Sequence, residues 1–236
     1  MRFSIVIPAH DEEKYLPACL ASIEAAARPY PGNVEVIVAL NRCTDGTEAI
    51  ARGWGAKTVV EDARNMARIR TAGARAARGE FLLTIDADSR MSPNMLEVLD
   101  GKFSSGKYIG GGVAILPERW SLGIAASTLL LIPLAVRYRI AGGLFWIRRE
   151  DFEAIGGFDE RFVSVEDVDF ARRLKAYGRS KGKRFGHVLG AHIVTSCRKW
   201  DQFGDWFFFT HPRFVRRILS GHDREAADIL YYDAER

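Results

Sequence analysis

The sequence contains few cysteines and no long hydrophobic run. Its three cysteines, Cys19, Cys43 and Cys197, form no CxxC pair, so we expect neither a disulfide framework nor a zinc ribbon, and a reducing cytoplasm fits best. The most apolar stretch, residues 124–136, contains a proline and is shorter than the roughly 20 residues that span a bilayer. The opening segment MRFSIVIPAHDEE runs into acids, unlike a signal peptide. These features predict a soluble cytoplasmic protein or a peripheral one at the inner face of the membrane.

The sequence also lacks internal repeats, low-complexity tracts and a glycine-rich phosphate loop. The stretch GKFSSGKY, residues 101–108, approaches the P-loop pattern but ends in Tyr108 instead of Ser or Thr. It also follows a helix, predicted to start with Ser92 as N-cap and Pro93 at the first helical position, where a P-loop requires a strand. The chain has 236 residues, of which 47% are hydrophobic, and a net charge of +4. This composition suffices for a buried core. The positive charge suits a polyanionic partner such as a nucleotide diphosphate, an anionic membrane or a nucleic acid.

Short β-rich runs alternate with helical patterns along the chain. Strict alternation predicts right-handed crossovers and a mostly parallel, Rossmann-like sheet with helices on both faces, in a single α/β domain with an elaborated second half. In the first half we predict strands at 3–8, 34–40, 57–60 and 80–85, and helices at 12–27, 45–53 and about 64–78. In the second half we predict strands at 108–116 and 144–149, and helices at about 119–138, 164–178, near 200–219 and near 223–232.

Three of the early predicted strands end in polar side chains. The first runs into the His-Asp-Glu segment 10–12, the second into the polar segment 41–45, and the fourth into Asp86 and Asp88. Ligands of open α/β sheets bind beyond the carboxyl ends of the strands. We therefore favour one nucleotide-binding site over three unrelated helix caps, and we expect His10 to line its pocket.

Asp86 and Asp88 form a D-x-D pattern directly after an apolar strand. Residues i and i+2 of an extended segment point to the same side, so the two carboxylates would repel each other unless a cation lies between them. Mg²⁺ and Mn²⁺ prefer such oxygen ligands, together with substrate phosphates and water. The alternative is structural, since Asp88 or Ser89 could cap the next helix and Asp86 could form a turn.

Several motifs, in order along the chain, resemble those of family 2 glycosyltransferases with the GT-A fold. The resemblance covers residues 3 to about 204 and rests on SIVIPAHDEEKYLPACLASI, VIVALNRCTDGT, IDADS, FWIRREDFEAIGGFDERFVSVEDVDFARRLKAYG and TSCRKW. It implies a nucleotide-sugar-binding half (1–90), an acceptor and catalytic half (91–204), and an aromatic and polar helical tail (205–236). It also implies inverting transfer of a sugar from a nucleotide diphosphate sugar, assisted by Mg²⁺ or Mn²⁺.

The resemblance assigns donor-binding roles in the first half of the chain. Pro8, Ala9 and Glu12 lie where the family holds the base and the ribose. Asn41 replaces an aspartate that often contacts the base. The amide keeps an acceptor oxygen but loses the charge and gains an NH₂ donor. The resemblance still favours UDP-sugars, but this replacement weakens the preference for uridine and leaves GDP-sugars open. Arg70 matches a family arginine and is expected at the diphosphate.

The resemblance also implies metal ligands and a catalytic base. Asp86 and Asp88 fall on the family's metal motif, and His192 is a candidate third ligand. Asp167 falls on the catalytic base, with Glu166 as a second candidate. A carboxylate in this role takes the proton of the attacking acceptor hydroxyl.

Asp167 has a structural interpretation as well. The segment Ser-Val-Glu-Asp at 164–167 fits a capping box, in which Asp167 would close the start of a helix. The two roles can coexist, because a capping carboxylate keeps a second oxygen.

The basic residues divide into binding candidates and a solvent-facing stripe. The resemblance places Arg198 and Lys199 near the diphosphate or the acceptor. At roughly 100° per residue, four arginines of the helix at 64–78 share one stripe that we expect to face solvent: Arg64, Arg68, Arg75 and Arg78. This stretch has no interleaved aromatics, so nucleic acid is not an expected partner.

The acceptor and the rival functions stay open. A saccharide or lipid-linked acceptor would fit, and segments 121–140 and 200–218 suit either peripheral membrane contact or packing on the sheet. A sugar nucleotidyltransferase-like enzyme would normally carry a glycine-rich loop after the first strand, where PAHDEE has no glycine. A non-catalytic nucleotide-sugar-binding or membrane-associated scaffold would not need the acids Asp86, Asp88 and Asp167.

Overall fold

The computed structural model of the protein describes residues 1–138 and 143–232. The strands are β1 (Phe3–Ala9), β2 (Val34–Leu40), β3 (Lys57–Val60), β4 (Phe81–Ile85), β5 (Ser89–Met91), β6 (Tyr108–Val113), β7 (Ile115–Pro117), β8 (Leu144–Arg148), β9 (Arg184–His187) and β10 (Ile193–Thr195). The helices are α1 (Leu16–Ala27), α2 (Thr47–Trp54), α3 (Met66–Arg75), α4 (Met95–Ser104), α5 (Leu122–Tyr138), α6 (Arg149–Ala154), α7 (Glu166–Ser180), α8 (Arg198–Phe203), α9 (Phe207–Thr210), α10 (Pro212–Leu219) and α11 (Arg224–Tyr231).

The centre of the molecule is a seven-stranded sheet in the order β3-β2-β1-β4-β8-β6-β9. The first four of these strands are parallel to one another, β8 is antiparallel to both of its neighbours, and β9 is parallel to β6. A smaller sheet has the order β5-β10-β7. The predicted α/β architecture with a mostly parallel sheet is confirmed, because the alternation of strands and helices forces crossovers that return each strand in the same direction.

Helices cover both faces of the large sheet. Along β1, Phe3, Ile5 and Ile7 point into the core shared with α1 and α4, whereas Val6 points into the core shared with α3 and α7. A Cβ at Gly73 of α3 would collide with Val6 Cγ1, so α3 lies unusually close to the sheet. Four arginines of the basic run are exposed, as predicted: Arg64, Arg68, Arg75 and Arg78. Arg70, which does not belong to that stripe, is buried.

Two predicted elements are divided in the structure. The strand predicted at 108–116 is β6 and β7, because the chain leaves the large sheet after Val113 and pairs with β10 of the small sheet. The helix predicted near 200–219 is α8, α9 and α10. Gly204, with φ of +87°, ends α8, and Pro212 starts α10, since proline cannot donate the hydrogen bond that a continuous helix requires.

Parts of the predicted segments lie outside the described residues, namely 139–140 of the apolar segment 121–140 and 233–236 of the predicted tail. Within the described residues, every helix is too short or too polar to cross a membrane.

Candidate active site

A cavity of about 280 Å³ lies at the carboxyl ends of β1, β2 and β4. The start of α7, the start of α8 and the end of α11 complete its walls. This edge of an open α/β sheet is where ligands are expected. The predicted residues that line the cavity are Pro8, Ala9, His10, Glu12, Asn41, Arg70, Asp86, Asp88, Glu166, Asp167, Arg198 and Lys199.

His192 is the predicted site residue that the structure does not bring to the cavity. Its side chain is exposed and does not belong to the lining. Its backbone pairs with Ser92, whose N–H donates to the His192 carbonyl at 2.9 Å and whose Oγ accepts the His192 N–H at 3.2 Å. Two residues of this region reach the Asp88 carboxylate, Thr195 at the end of β10 and Ser196 directly after it, whereas His192 precedes β10. The position of the His192 side chain therefore gives no support to His192 as a third metal ligand.

On one side of the cavity, Arg70 lies between two acids. Its Nη2 is 2.6 Å from Asp86 Oδ1, and its Nε is 3.4 Å from Glu166 Oε1. The side chains of Arg70 and Glu166 are 10% and 5% exposed, whereas that of Asp86 is 42% exposed. Burial alone lowers the pKa of Arg70, but Asp86, Glu166 and Asp167 raise it by more, so the guanidinium stays charged. We call Arg70, Asp86 and Glu166 the Arg70 cluster.

On the other side, Arg198 lies between two further acids. Its Nη1 and Nη2 donate to the two carboxylate oxygens of Glu12 at 2.9 and 2.8 Å, and its Nε is 3.1 Å from Asp88 Oδ2. Asp88 Oδ2 also accepts from Ser196 Oγ at 2.8 Å. We call Arg198, Glu12 and Asp88 the Arg198 cluster. The carboxylate of Glu12, predicted near the base and ribose, is thus paired with an arginine.

The helix that carries Glu166 and Asp167 does not begin with the predicted capping box. Val165 occupies the N-cap position with φ of +52°, a left-handed conformation that is uncommon for a β-branched residue. Ser164 Oγ donates instead to the carbonyl of Ile218 at 2.7 Å. Asp167 Oδ1 accepts the N–H of the next residue at 2.8 Å. Asp167 therefore keeps a second oxygen, and both acids line the cavity.

Backbone strain is concentrated around this cavity. Among the described residues other than glycine, three have left-handed φ: Asp11, Arg42 and Val165. Val165 lines the cavity, and the other two are each adjacent in sequence to a residue that does. Such conformations cost on the order of 1–3 kcal/mol and persist where the surroundings impose them.

Burial changes the protonation of the two acids at the start of α7. It raises the pKa of Glu166 to about 7, a shift that Arg70 opposes and Asp167 reinforces. Burial also raises the pKa of Asp167. A carboxylate whose pKa approaches neutrality can both take and return a proton near neutral pH. The pair is therefore suited to general base chemistry.

Asn41 follows β2 and is completely buried. Its Nδ2 donates to the carbonyls of Glu61 and Ala63. These two carbonyl oxygens fix the orientation of the amide. In a flipped amide, Oδ1 would face them, and two acceptors cannot form a hydrogen bond with each other. Oδ1 has no hydrogen-bond partner within the described ranges. A buried acceptor without a partner costs about 1–3 kcal/mol, so an N–H donor on a ligand would be favoured at this point.

The cavity lining is acidic overall. Among the described residues that line it, five carboxylates face three cationic side chains: Glu12, Asp86, Asp88, Glu166 and Asp167 against Arg70, Arg198 and Lys199. The excess negative charge matches one divalent cation, and carboxylate oxygens are the ligands that Mg²⁺ and Mn²⁺ prefer. The residues therefore fit a metal site.

A second acidic group lies outside the cavity lining. Asp11, Cys43 and Asp45 place potential ligand atoms within 4.8 Å of one another. Asp11 Oδ1 accepts the N–H of Thr44 at 2.7 Å, and Asp45 Oδ2 accepts the N–H of Glu13 at 3.0 Å. These carboxylates support the loops after β1 and β2, and nothing further points to a ligand there.

The sequence analysis missed the wall that α11 supplies. Leu230, Tyr231 and Tyr232 line the cavity, although the pattern at 223–232 predicts only a polar helix. No motif marks these residues. The sole local signal is a pair of adjacent aromatics at the end of a helix, which is not specific.

Two family models match the chain. The model described as glycosyl transferase family 2 matches residues 4–156, and the model described as the N-terminal domain of galactosyltransferase matches residues 134–195. Among curated proteins, the minor teichoic acid biosynthesis protein GgaA of Bacillus subtilis (strain 168) is 24% identical over 238 residues, which cover 90% of this chain and 51% of GgaA. The chain thus spans about half the length of this relative.

Solved structures of GT-A glycosyltransferases share the fold. The mannosyltransferase PcManGT from Pyrobaculum calidifontis, in complex with GDP-Man and Mn²⁺, has a TM-score of 0.68 and 19% identity, covering 95% of this chain and 64% of its own. TarS from S. aureus, in complex with UDP-GlcNAc, has a TM-score of 0.66 and 18% identity, covering 84% of this chain and 59% of its own. At these identities the likeness establishes the fold.

Proposed function

Because the chain belongs to glycosyl transferase family 2, we propose that it transfers a sugar from a nucleotide diphosphate sugar to an acceptor hydroxyl, with inversion at the anomeric carbon. The observation that carries the proposal is that three strand ends and the start of α7 bring into one cavity the side chains that we propose to bind the base, to hold the metal and to accept a proton. The complexes of PcManGT with GDP-Man and of TarS with UDP-GlcNAc support this class of donor.

Asp86 and Asp88 would hold Mg²⁺ or Mn²⁺. One oxygen of each carboxylate pairs with an arginine, Asp86 Oδ1 with Arg70 and Asp88 Oδ2 with Arg198. The other oxygen of each carboxylate would bind the metal ion. When bound, the ion would offset the negative charge that develops on the leaving diphosphate. Arg70 and Arg198 lie beside the same carboxylates, so they would bind diphosphate oxygens together with Lys199.

Asp167 is the proposed general base. It would take the proton of the acceptor hydroxyl as that oxygen attacks the anomeric carbon from the side opposite the diphosphate, which leaves with the bonding electrons. Glu166, the second candidate, is more deeply buried and pairs with Arg70. Its proposed role is therefore to position Arg70.

Asn41 would select the base of the donor. The fixed amide presents an acceptor and no donor, so it suits a base with an N–H on its pairing edge. Uracil carries a ring N–H at N3 and guanine at N1, whereas the corresponding ring nitrogens of cytosine and adenine are acceptors and those bases would have to donate from an exocyclic amino group. The amide therefore suits uracil and guanine alike, and of the two we propose UDP-sugars as the preferred donors and GDP-sugars as the second choice.

A saccharide or lipid-linked acceptor is proposed, with peripheral contact to the cytoplasmic face of a membrane. Leu122, Trp206 and Phe209 are 83%, 49% and 46% exposed, and Arg213 and Arg216 are exposed beside them in sequence. Exposed aromatic and aliphatic side chains combined with arginines suit the surface of an anionic bilayer. Sedimentation with phosphatidylglycerol vesicles tests this contact, and a protein that stays in the supernatant at low salt would exclude it.

Nucleotide binding with and without metal tests the central proposal. We expect UDP or GDP to raise the melting temperature only in the presence of Mn²⁺ or Mg²⁺, and the matching nucleotide sugar to be slowly hydrolysed. Asp86→Asn and Asp88→Asn should lose this metal-dependent shift, each measured against its own ligand-free baseline. Asp62→Asn is the control, since Asp62 is exposed and lies outside the cavity lining. If no nucleotide stabilises the protein with either metal, the scaffold alternative is favoured.

A further inference from the structure

The helix α11 is packed firmly onto the edge of the molecule that contains the cavity. Arg224 Nη1 donates to the backbone carbonyl of Arg64, and Arg64 Nη1 is 3.5 Å from Asp228 Oδ2. Ala226 and Ala227 are buried. These contacts join α11 to the residues that lead into α3, so α11 is a fixed wall of the cavity and its end has a defined position.

The connection between α10 and α11 also holds the loop that precedes Glu166 and Asp167. The N–H of Val163 donates to the carbonyl of Gly221 at 2.9 Å, and the ring of Phe162 stacks on His222 at 5.0 Å. A Cβ at Gly221 would lie 2.7 Å from Phe162 Cδ1, which shows how closely the two segments approach. The position of α11 is thus tied to the loop of the proposed base.

The residue after α11 lies beside the part of the cavity that we assign to the base. The ring centroids of Tyr232 and His10 are 5.0 Å apart, with planes inclined at 57°. His10 Nδ1 is 2.7 Å from the backbone carbonyl oxygen of Asn41. The guanidinium of Arg64 lies 5.2 Å from the centroid of the Tyr232 ring. Tyr232, His10 and Asn41 all line the cavity, so an aromatic surface stands next to the buried acceptor of Asn41.

The neighbouring tyrosine belongs to a different part of the cavity. The ring of Tyr231 lies 5.0 Å from Lys199 Nζ. Burial raises the pKa of Tyr231 well above its ordinary value, and the charges of Glu166 and Asp167 add to this. The ring of Tyr231 thus lies beside Lys199, whereas the ring of Tyr232, the residue after α11, lies against His10.

We propose that Tyr232, together with His10, forms the aromatic surface against which the nucleobase of the donor stacks. This inference rests on the proposed function and adds a donor-binding residue to it. A nucleobase has an edge and a face. Asn41 provides an acceptor for the edge only, whereas the face is best met by aromatic rings in offset or tilted contact. The C-terminal helix then contributes directly to donor affinity.

Calorimetric titration of three ligands in the presence of Mn²⁺ tests the inference: UDP, GDP and inorganic pyrophosphate. Pyrophosphate shares the diphosphate of the nucleotides but has no base. Stacking on an aromatic side chain contributes about 1–3 kcal/mol per base, so Tyr232→Ala should weaken binding of the preferred nucleoside diphosphate about 5- to 150-fold. The same variant should bind pyrophosphate within about twofold of wild type. Tyr232→Phe keeps the ring and should bind all three ligands as wild type does.

Phe209→Ala is the matched control, because Phe209 is an exposed aromatic of the same C-terminal region outside the cavity lining. This variant should change neither the affinity for the preferred nucleoside diphosphate nor the affinity for pyrophosphate. Retention of nucleotide affinity by Tyr232→Ala would overturn the inference, as would an equal loss for pyrophosphate, which would indicate a general structural role. If the wild-type protein binds pyrophosphate with Mn²⁺ but no nucleoside diphosphate, the proposed function fails and this inference fails with it. If the inference alone is wrong, wild type still binds a nucleoside diphosphate, and only the Tyr232→Ala result contradicts the expectation.

Discussion

The Arg70 cluster and the Arg198 cluster have the same composition, one arginine and two acids, but they differ in how completely their charges are paired. In the Arg198 cluster, Glu12 is 5% exposed and Asp88 10% exposed, and each carboxylate accepts hydrogen bonds at 2.9 Å or less. In the Arg70 cluster, Glu166 is equally buried, yet its closest approach to Arg70 is 3.4 Å, and Asp86 is 42% exposed.

This difference separates a structural role from a chemical one. A buried, fully hydrogen-bonded ion group holds the elements that carry it in one arrangement, and the Arg198 cluster joins the loop after β1, the end of β4 and the start of α8. A partly paired group can change its protonation or its partners when a ligand arrives. We therefore expect the Arg198 cluster to contribute more to stability than the Arg70 cluster does, in addition to the metal and diphosphate contacts proposed for Asp88 and Arg198. We expect the Arg70 cluster with Asp167 to control mainly activity.

The substitution Asp167→Asn should have the largest effect, and on activity only. An amide cannot take the acceptor proton, so the kcat of donor hydrolysis should fall about 10²–10⁴-fold. Stabilisation by UDP or GDP with Mn²⁺ should stay near that of wild type, because the metal ligands are intact. Steady-state hydrolysis and thermal shift measure the two quantities, with Asp62→Asn as control. Full activity of Asp167→Asn would transfer the role of base to Glu166.

The substitution Arg198→Met should cause the largest loss of stability. It leaves Glu12 and Asp88 buried without their cation, which is expected to lower the free energy of unfolding by about 3–5 kcal/mol. Urea unfolding followed by circular dichroism measures this loss. Adding Glu12→Gln to the same protein should recover part of it, since a neutral amide needs no counter-charge.

Arg52→Met is the matched control for Arg198→Met. Arg52 pairs with Glu48 on the surface, where both side chains are about half exposed or more, so the change should be less than about 1 kcal/mol. An equally small effect of Arg198→Met would contradict the structural role of its cluster.

Glu166 should make the stability of the metal-free protein depend on pH. Folding raises its pKa from 4.5 to about 7, so between these values the folded state binds more protons than the unfolded state. The free energy of unfolding should therefore fall as the pH rises through this window, by up to about 3 kcal/mol, and level off above it. Urea titrations in EDTA at pH 5 and pH 8 measure the slope.

The comparison with Glu166→Gln isolates the contribution of this one group. The variant should show a smaller pH-dependent fall, because Asp167, whose pKa burial also raises, is still present, and it should be more stable than wild type at pH 8. Glu153→Gln, at an exposed position of α6, should keep the wild-type profile. Parallel profiles for wild type and Glu166→Gln would show that the acid is not held in a desolvated state.

The substitution Val165→Gly should have the smallest effect. Glycine adopts the left-handed conformation at φ of +52° without steric cost, but it gains entropy in the unfolded chain, so stability should change by less than about 1 kcal/mol. The freed loop should hold Glu166 and Asp167 less firmly, and kcat of donor hydrolysis should fall by less than about tenfold with KM unchanged. A large loss of stability would show that packing of the valine side chain outweighs the backbone strain.

The first half of the fold could be predicted from local patterns. The strands predicted at 34–40 and 57–60 match β2 and β3 residue for residue, because their apolar runs are bounded by polar and glycine-containing segments. Asp86 and Asp88 were placed at a strand end for the same reason, and both line the cavity. Local periodicity carries this information without reference to the rest of the chain.

The errors occur where a neighbouring segment changes the local preference. Ser164 was predicted to cap α7, but its hydroxyl donates to the carbonyl of Ile218, so Val165 takes the N-cap position. The continuous strand predicted at 108–116 divides because β10 offers β7 a partner in a second sheet. Propensity is a weak preference of a few tenths to about 1 kcal/mol per residue, and a tertiary hydrogen bond in a buried position outweighs it.

The amino-acid sequence by itself determined the parallel architecture and the side chains that gather at the carboxyl edge of the sheet, since strand–helix alternation and strand-end polarity are local properties. Only the tertiary structure decided which arginine pairs with which acid and that α11 closes the cavity. Arg198 and Glu12 are 186 residues apart, and Tyr232 meets His10 from the opposite end of the described chain. Such contacts depend on how whole elements pack, and no periodicity within a short segment encodes them.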